Sequence, residues 1–328
     1  MKLQQITKLS LLVMFVDTLS GDTFLQNNYS DISYDSSKNA ITVGATTATA
    51  KGYSAILSNP AGLSSHANAS VYTKTVLITT TTQNDEKITQ ATPANQVSVG
   101  VIYDSLAIEY KLDDYVAFGA GYGYETRYGL FSIGGTYLMD TSSRTTIDNG
   151  DASELEDDKY VTGDYAVFGL MWQKTFVMQD KFYGVYLGYS HKGSGKYDGS
   201  EGNPNIIPIS PLRVSYGLGV ETNIYSSSVL MTVDYFEESW LSHSETRTGI
   251  AYGLKWHLLN KLALGCGMST QTNNDNLLGD MDTLGGGIEY SILGLHFNAS
   301  YLQRKTYKSD GSLYLTDDSA HLDVALSF

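Results

Sequence analysis

Cysteine and basic residues are both scarce in this sequence. Cys266 is the single cysteine among 328 residues, which excludes an intramolecular disulfide and any metal site built from several cysteines. Lysine and arginine total 21 against 35 aspartates and glutamates, so the formal net charge is -14. Because the phosphates of nucleic acids require a basic surface, this balance argues against a nucleic-acid partner.

Long hydrophobic runs are missing as well. Beyond the N-terminus no stretch reaches about 18 apolar residues, which excludes a helical membrane protein. Proline is rare, with 5 residues, whereas glycine and tyrosine are abundant, with 32 and 25. Hydrophobic residues make up 42% of the chain, as in a soluble protein. A membrane barrel gives a similar average, because apolar and polar residues alternate along its strands.

The N-terminus resembles an export signal. Lys2 and Lys8 form a positive region, Leu9–Val16 is a short apolar core, and small residues follow it. This order is typical of a cleaved secretory signal peptide. We therefore predict a signal peptide over residues 1–21.

From about residue 69 onward, apolar and polar residues alternate with a period of two. In the last strand Leu322, Val324, Leu326 and Phe328 share one face. A strand sorts such residues onto two faces, whereas a helix scatters them around its axis. About fourteen strands are predicted, over residues 69–82 (with a bulge), 96–104, 106–112, 115–127, 130–141, 164–176, 181–192, 212–224, 226–238, 246–258, 260–271, 281–292, 294–305 and 319–328.

The connections between these strands alternate between short and long, which is typical of outer-membrane barrels with short periplasmic turns and longer external loops. A soluble β-sandwich also alternates, but it packs its bulky face inward. Here one face is rich in Tyr, Leu and Val, and the other is mostly Gly, Ala and Ser. The pattern favours an all-β fold, a transmembrane antiparallel β-barrel of about 14 strands in the bacterial outer membrane.

The chain ends in Phe328, on the apolar face of the last predicted strand. This resembles the terminal strand of bacterial outer-membrane proteins, which ends in an aromatic residue that the barrel-assembly machinery reads. The resemblance implies that Phe328 is an assembly signal. It also implies outer-membrane lipids and lipopolysaccharide as partners of the wall.

Residues 41–65 do not alternate and are rich in small residues. The stretch carries Gly44, Ala48, Ala50, Ser54 and Ala55, and it ends in the motif Asn59, Pro60, Ala61, Gly62, Leu63. On physical grounds Asn-Pro starts a turn, so a simple linker is one interpretation. The order also resembles the hatch of the long-chain fatty-acid transporter (FadL) superfamily. That resemblance implies a hatch over residues 22–66 inside a barrel over residues 67–328.

The resemblance implies passive uptake of small hydrophobic molecules, such as fatty acids or hydrocarbons, gated by the hatch. The ligand would then leave sideways through the barrel wall. Gly285, Gly286 and Gly287 are the candidates for a wall kink, because glycine weakens a strand; close approach of the hatch is the alternative explanation. The same signature occurs in PorV-like and TraF-like secretion or assembly components, and a general porin is a further alternative.

Charged residues at polar strand positions are candidates for the lumen. Their mixed signs suggest ion-paired networks, since a selective pore would concentrate one sign. The candidates are Glu109, Lys111, Glu125, Arg213, Glu221, Asp234, Lys255, Glu289 and Asp323.

No constellation for catalysis stands out. His191 and Ser194 faintly resemble the His-x-Ser motif of outer-membrane phospholipase, but they are three residues apart and fall on opposite strand faces. The acidic stretch at 148–158 lacks the spacing of a calcium loop and is best explained as a solvated loop. We therefore predict no enzyme activity, no metal and no cofactor.

Overall fold

The computed structural model describes most of the predicted barrel and the segment that precedes it. The described residues are 36–65, 69–83, 86–91, 97–111, 114–141, 159–161, 163–179, 181–194, 206–208, 211–225, 227–239, 246–259, 261–273 and 278–328. The predicted signal peptide, residues 22–35 of the predicted hatch and the acidic stretch at 148–158 lie outside these ranges.

Strands dominate the described residues, as the period of two predicts. They are β1 (Ser70–Gln83), β2 (Glu86–Ala91), β3 (Val97–Tyr103), β4 (Leu106–Lys111), β5 (Tyr115–Thr126), β6 (Gly129–Asp140), β7 (Lys159–Val161), β8 (Tyr165–Met178), β9 (Lys181–Lys192), β10 (Ile206–Pro208), β11 (Leu212–Ile224), β12 (Ser227–Ser239), β13 (Thr246–Leu259), β14 (Leu262–Asn273), β15 (Leu278–Ile292), β16 (Leu295–Lys308) and β17 (Leu313–Ser327).

Fourteen of the described strands form a closed antiparallel barrel. Closure comes from β1, which pairs with β3 on one side and with β17 on the other. Of the remaining three strands, β2 pairs with the far end of β1, on the edge where β3 pairs with its start, and β7 pairs with β10 in a small parallel ladder. A closed sheet has no exposed edge, so the backbone of the wall is satisfied without water.

The predicted strands agree closely with the observed ones. β9 and β11 have the predicted bounds, and the predicted bulge in the first strand appears as a register shift between Val76 and Ile78. The prediction was wrong at the last strand, which begins at Leu313 rather than at residue 319. A tight turn around Gly311 lets β16 and β17 continue pairing through the region predicted as a long loop.

The two faces of the wall differ as the sequence predicts. On β11, Tyr216 and Leu218 point outward and are 53% and 45% exposed, whereas Ser215 points into the barrel and is 5% exposed. Aromatic and aliphatic side chains also occupy the exposed outer positions of β5 and β8, including Tyr122, Tyr124, Phe168 and Leu170. Among the described residues, no helix has the length and apolar character needed to cross a membrane.

Residues 36–65, called the inner segment below, lie inside the barrel and are mostly buried. The segment contains short helices at Ser37–Ile41 and Ala55–Ser58 and 3-10 turns at Gly52–Ser54 and Pro60–Ser65. The first helix contacts β14 to β17, and the last turn contacts β5, β6 and β8. The inner segment therefore bridges opposite parts of the wall.

The closing ladder can be tested by cross-linking. Thr73 of β1 lies opposite Val324 of β17, and opposite residues of antiparallel strands are within reach of a disulfide. In a Cys266→Ser background, Thr73→Cys with Val324→Cys should form a disulfide on mild oxidation, seen as faster migration of the heat-denatured chain on a gel. The control pair, Thr73→Cys with Ala320→Cys, should not cross-link. A cross-link in the control alone would contradict the register.

Candidate functional site

Glycines on the inward face of the barrel leave room for the inner segment. A Cβ built on Gly134 would lie 2.2 Å from the carbonyl carbon of Pro60, and one on Gly188 would lie 2.1 Å from the carbonyl oxygen of Thr47. Non-bonded heavy atoms prefer about 3.5–4.0 Å, so a side chain here would push the segment away. Similar approaches below 3.0 Å occur at Gly119, Gly121, Gly169, Gly217, Gly219, Gly253, Gly265, Gly267, Gly285 and Gly287.

Asn59, the first residue of the predicted motif, is fully buried and ties three pieces of backbone together. Its amide nitrogen donates to the carbonyl oxygens of Thr47, at 2.5 Å, and of Leu170 on β8, at 3.2 Å. Its Oδ1 accepts from the backbone N–H of Ala61 at 3.2 Å. A single side chain thus joins two parts of the inner segment to each other and to the wall.

The rest of the motif is a compact turn against β5 and β6. A Cβ on Gly62 would lie 2.0 Å from the carbonyl oxygen of Ala50, so only glycine fits there. Pro60 faces Gly134, and the fully buried Leu63 faces Gly119. All five motif residues are buried, and the close contacts explain why glycine stands at Gly62.

Asp234 of β12 is a second anchor for the inner segment. Its carboxylate is 1% exposed and accepts a hydrogen bond from the backbone N–H of Thr47 at 2.7 Å. The same threonine offers its carbonyl to Asn59. Both polar groups of this peptide backbone are therefore satisfied by side chains from elsewhere in the chain.

Glu109 of β4 lies at the centre of a buried network. Its carboxylate is 2.6 Å from Nζ of Lys74, and the hydroxyls of Tyr72 and Tyr115 each donate to it at 2.7 Å. The ring of Tyr72 stacks on Tyr53 of the inner segment, with 4.9 Å between centroids. A buried charge is tolerated when it is paired and hydrogen-bonded in this way.

Further predicted lumen charges lie near the short turns of β11, β13 and β15. Nζ of Lys255 is 2.5 Å from the carboxylate of Glu289. Glu221 accepts hydrogen bonds from the hydroxyls of Tyr186, at 2.7 Å, and Ser228, at 3.0 Å. These acids are therefore partnered within the wall, and the mixed signs form the ion-paired networks that the sequence suggests.

Two lysines of the inner segment face this charged region. Nζ of Lys38 lies 5.0 Å from the ring centroid of Tyr53, and Nζ of Lys51 lies 5.5 Å from that of Tyr186. Burial lowers the pKa of Lys38 below its usual range, and the Glu289 carboxylate opposes that shift by favouring the charged form. The Lys38 ammonium therefore depends on nearby wall acids for its charge.

Arg213 and Glu238 form a pair at the other end of the lumen, near the long connections. Their side chains are 2.8 Å apart, and the guanidinium lies 4.1 Å from the ring centroid of Phe236. Glu125 lies on the same face of β5 as Gly121 and Gly123, which approach Ser64, so it is on the inward face, but it is exposed at the short-turn end of the barrel. The backbone N–H of Gly121 donates to the carbonyl of Ser105 in the β3–β4 turn, and β5 continues beyond that turn. The last residues of β5 therefore have no pairing partner in β4.

Gly285, Gly286 and Gly287 pair in regular register with both β14 and β16. Gly285 approaches Ala40, and Gly287 approaches Ile41, so these two glycines accommodate the first helix of the inner segment. The described irregularity of β15 lies instead between Leu278 and Met281. An opening of the wall at the three glycines stays a prediction.

Phe328 follows the end of β17 and is 46% exposed. Its backbone N–H donates to the carbonyl of Ala69 at 2.9 Å, which holds the C-terminus at the start of β1. Its role as an assembly signal stays a prediction. Among the described residues, no group of three or more histidine, cysteine or acidic side chains is arranged to hold a metal ion.

Several solved structures are similar to this chain in fold. A mutant of the monoaromatic hydrocarbon channel TodX is 13% identical, with a TM-score of 0.48 and coverage of 89% of this chain and 99% of that one. The Pseudomonas putida toluene transporter TodX is 12% identical (TM-score 0.41, 86% and 95% covered). A Pseudomonas aeruginosa FadL homologue is 10% identical (TM-score 0.43, 88% and 98% covered). No protein-family model and no curated protein matches the sequence.

The wall itself explains the location of the protein. It is a closed antiparallel barrel whose outer face is apolar and rich in tyrosine. Only a closed barrel or a helix satisfies every backbone group inside a bilayer, and barrels of this kind occupy outer membranes. The protein is a bacterial outer-membrane β-barrel.

Replacing Asn59 tests the anchoring of the inner segment. Asn59→Ala removes the two donors that satisfy Thr47 and Leu170, and each buried carbonyl left unpaired costs about 1–3 kcal/mol. We expect faster proteolysis within residues 36–65 in the folded barrel and a lower midpoint of thermal unfolding. Asn223→Ala, at an exposed position of β11, is the matched control. Equal protease resistance of both variants would contradict the anchoring role.

Two neighbouring glycines of β6 allow the effect of contact with the inner segment to be distinguished from the effect of replacing glycine in a strand. A Cβ on Gly134 would collide with Pro60, whereas one on Gly135 meets nothing nearer than Val167 at 3.9 Å. Gly134→Ala should destabilise the barrel by about 1–3 kcal/mol, because overpacking displaces the segment. Gly135→Ala should leave the thermal midpoint nearly unchanged. Equal losses in both variants would show that strand propensity, not contact, is responsible.

Proposed function

We propose that this protein is an outer-membrane channel for the passive uptake of small hydrophobic molecules, with the inner segment as its movable plug. The observation that carries the proposal is an apolar cluster between the segment and the wall. A porin for polar solutes has no use for such a lining, because water and ions gain nothing from it. A hydrophobic molecule gains roughly 25 cal/mol per Å² of apolar surface that it buries there.

Both the inner segment and the wall contribute to this cluster. The segment supplies Tyr53, Ile56, Leu57 and Leu63 with two small residues, and all are at most 5% exposed. The wall supplies apolar side chains from β1, β3, β4, β5, β6, β8 and β17, which are Tyr72, Ile102, Ala107, Tyr115, Ala117, Leu138, Tyr165, Val167 and Ala325. Displacing the segment would expose this apolar lining to an incoming ligand.

The described strands beside this cluster, β3 and β4, are short. β3 has 7 residues and β4 has 6, whereas the other barrel strands have between 12 and 15. A tilted strand needs about 9–11 residues to cross the hydrocarbon core. We therefore place the sideways exit at β3 and β4, where few ladder bonds close the wall, in preference to Gly285, Gly286 and Gly287.

A second candidate function is that of a secretion or assembly component that transports nothing. The tight fit of the inner segment favours it, since Asn59, Asp234 and the inward glycines hold the segment in place. The two candidates differ in whether the segment has to move. A reversible lock on the segment separates them.

Ser64 and Gly123 offer such a lock, because a Cβ on Gly123 would lie 3.3 Å from the Cβ of Ser64. This separation is close to that of cysteines in a disulfide. In a Cys266→Ser background, Ser64→Cys with Gly123→Cys should form a disulfide that fastens the segment to β5. Uptake of radiolabelled toluene or decane by cells with this variant should fall after oxidation and recover after reduction.

Cells that carry Gly123→Cys alone, treated identically, are the control and should keep their uptake. Full cross-linking without any loss of uptake would contradict a movable plug. Liposomes that contain the unlocked protein should not swell in sugar solutions, and swelling would favour a porin. If cells that carry the unlocked protein take up toluene and decane no faster than cells that lack it, the assembly role is favoured.

A further inference from the structure

The lipid-facing wall of β5, β6, β8 and β9 carries a groove that the uptake function does not use. Its volume is about 490 Å³. Its sides are large apolar side chains that point away from the lumen, namely Tyr122, Phe131, Ile133, Leu170, Trp172 and Leu187. Five of these are between 42% and 65% exposed. In a membrane such a groove is filled by a hydrocarbon chain.

Two basic residues, Lys174 and Arg127, lie toward the end of this groove that is nearest to the short turns. Lys174 lies two residues beyond Trp172 on the same strand face, and Arg127 lies in the turn between β5 and β6. Among the described residues, neither of these cations forms an ion pair. Each is therefore available to an anion from outside the protein.

Tyr128 connects the apolar groove to these cations. The indole N–H of Trp172 donates to the backbone carbonyl of Tyr128 at 3.2 Å. The guanidinium of Arg127 lies 4.5 Å from the ring centroid of the same tyrosine. The cation of Arg127 is thus held beside the end of the groove by Tyr128 and Trp172.

The position of Lys174 is itself informative. A charged side chain on the lipid face is costly at the bilayer centre and tolerated near the interface. Some outward-facing positions of the described barrel strands lie within about five residues of a short turn. Among them only Lys174 and Lys181 are charged, and both are cations. Short turns are periplasmic, so these lysines mark the level of the phosphates in the inner leaflet.

We propose that this groove binds a glycerophospholipid of the inner leaflet, with its phosphate between Arg127 and Lys174 and an acyl chain along Phe131, Leu170 and Leu187. Two cations beside an apolar groove are complementary to a phosphodiester that is joined to a hydrocarbon tail. Lipopolysaccharide belongs to the outer leaflet and does not reach this end of the wall. The site tethers the β5–β9 side of the barrel to the periplasmic leaflet.

Native mass spectrometry of the delipidated full-length protein tests the proposal. Added dioleoylphosphatidylglycerol should be retained by the unmodified protein, whereas dioleoylglycerol, which lacks the phosphate, should not. Arg127→Gln with Lys174→Gln should weaken retention by about tenfold or more, because each basic residue near a lipid phosphate contributes measurably to binding. The matched control removes two exposed cations elsewhere, with Lys261→Gln and Lys308→Gln, and should retain the lipid.

A second pair of variants tests the groove without changing charge. Leu187→Trp fills the groove and should abolish retention, whereas Leu264→Trp, at a similarly exposed site on β14, should not. Unchanged retention in the Arg127/Lys174 variant, or equal loss in its charge control, would overturn the phosphate site. Displacement of the phospholipid by lipopolysaccharide would overturn the choice of leaflet. Displacement by decane alone would instead assign the groove to cargo.

Discussion

The structure depends on one steric constraint, which is that the inner segment and the barrel wall approach each other at backbone distance. Gly134 and Gly188 meet Pro60 and Thr47 so closely that any side chain on either glycine would collide. Because glycine has no side chain, these positions of the wall leave room in the lumen for a folded segment. Twelve of the 32 glycines in this chain meet the inner segment in this way, so its close approach explains part of the abundance of glycine.

Close approach creates a second requirement, because backbone groups inside the lumen lose their water. Asn59 and Asp234 satisfy both polar groups of Thr47, and the Glu109 network occupies the opposite side of the lumen. Polar anchoring and apolar packing therefore alternate around the segment. The inner segment is therefore held by directional hydrogen bonds at these anchors and by non-directional apolar packing elsewhere.

Most of the wall could be predicted from the sequence, and the failures have physical reasons. Strands such as β9 and β11 alternate clearly from end to end, so their bounds were predicted correctly. β17 begins earlier than predicted because residues 313–318, which read Leu-Tyr-Leu-Thr-Asp-Asp, do not alternate between apolar and polar, yet β16 holds them in register. The short β7 and β10 were missed because they pair with each other across a long stretch of sequence, and β2 was missed because it forms a hairpin with β1 within a region predicted as a connection.

The sequence by itself determined the barrel, its two faces and the buried turn at Asn59–Leu63, because side chains alternate strictly along a strand and Asn-Pro directs a local turn. Tertiary structure alone decided which partners meet. It placed Asp234 under Thr47, left Glu125 exposed, and put Gly285 and Gly287 against a helix within a regular ladder. Those outcomes depend on the stagger of neighbouring strands around the closed sheet, and a period of two carries no information about stagger.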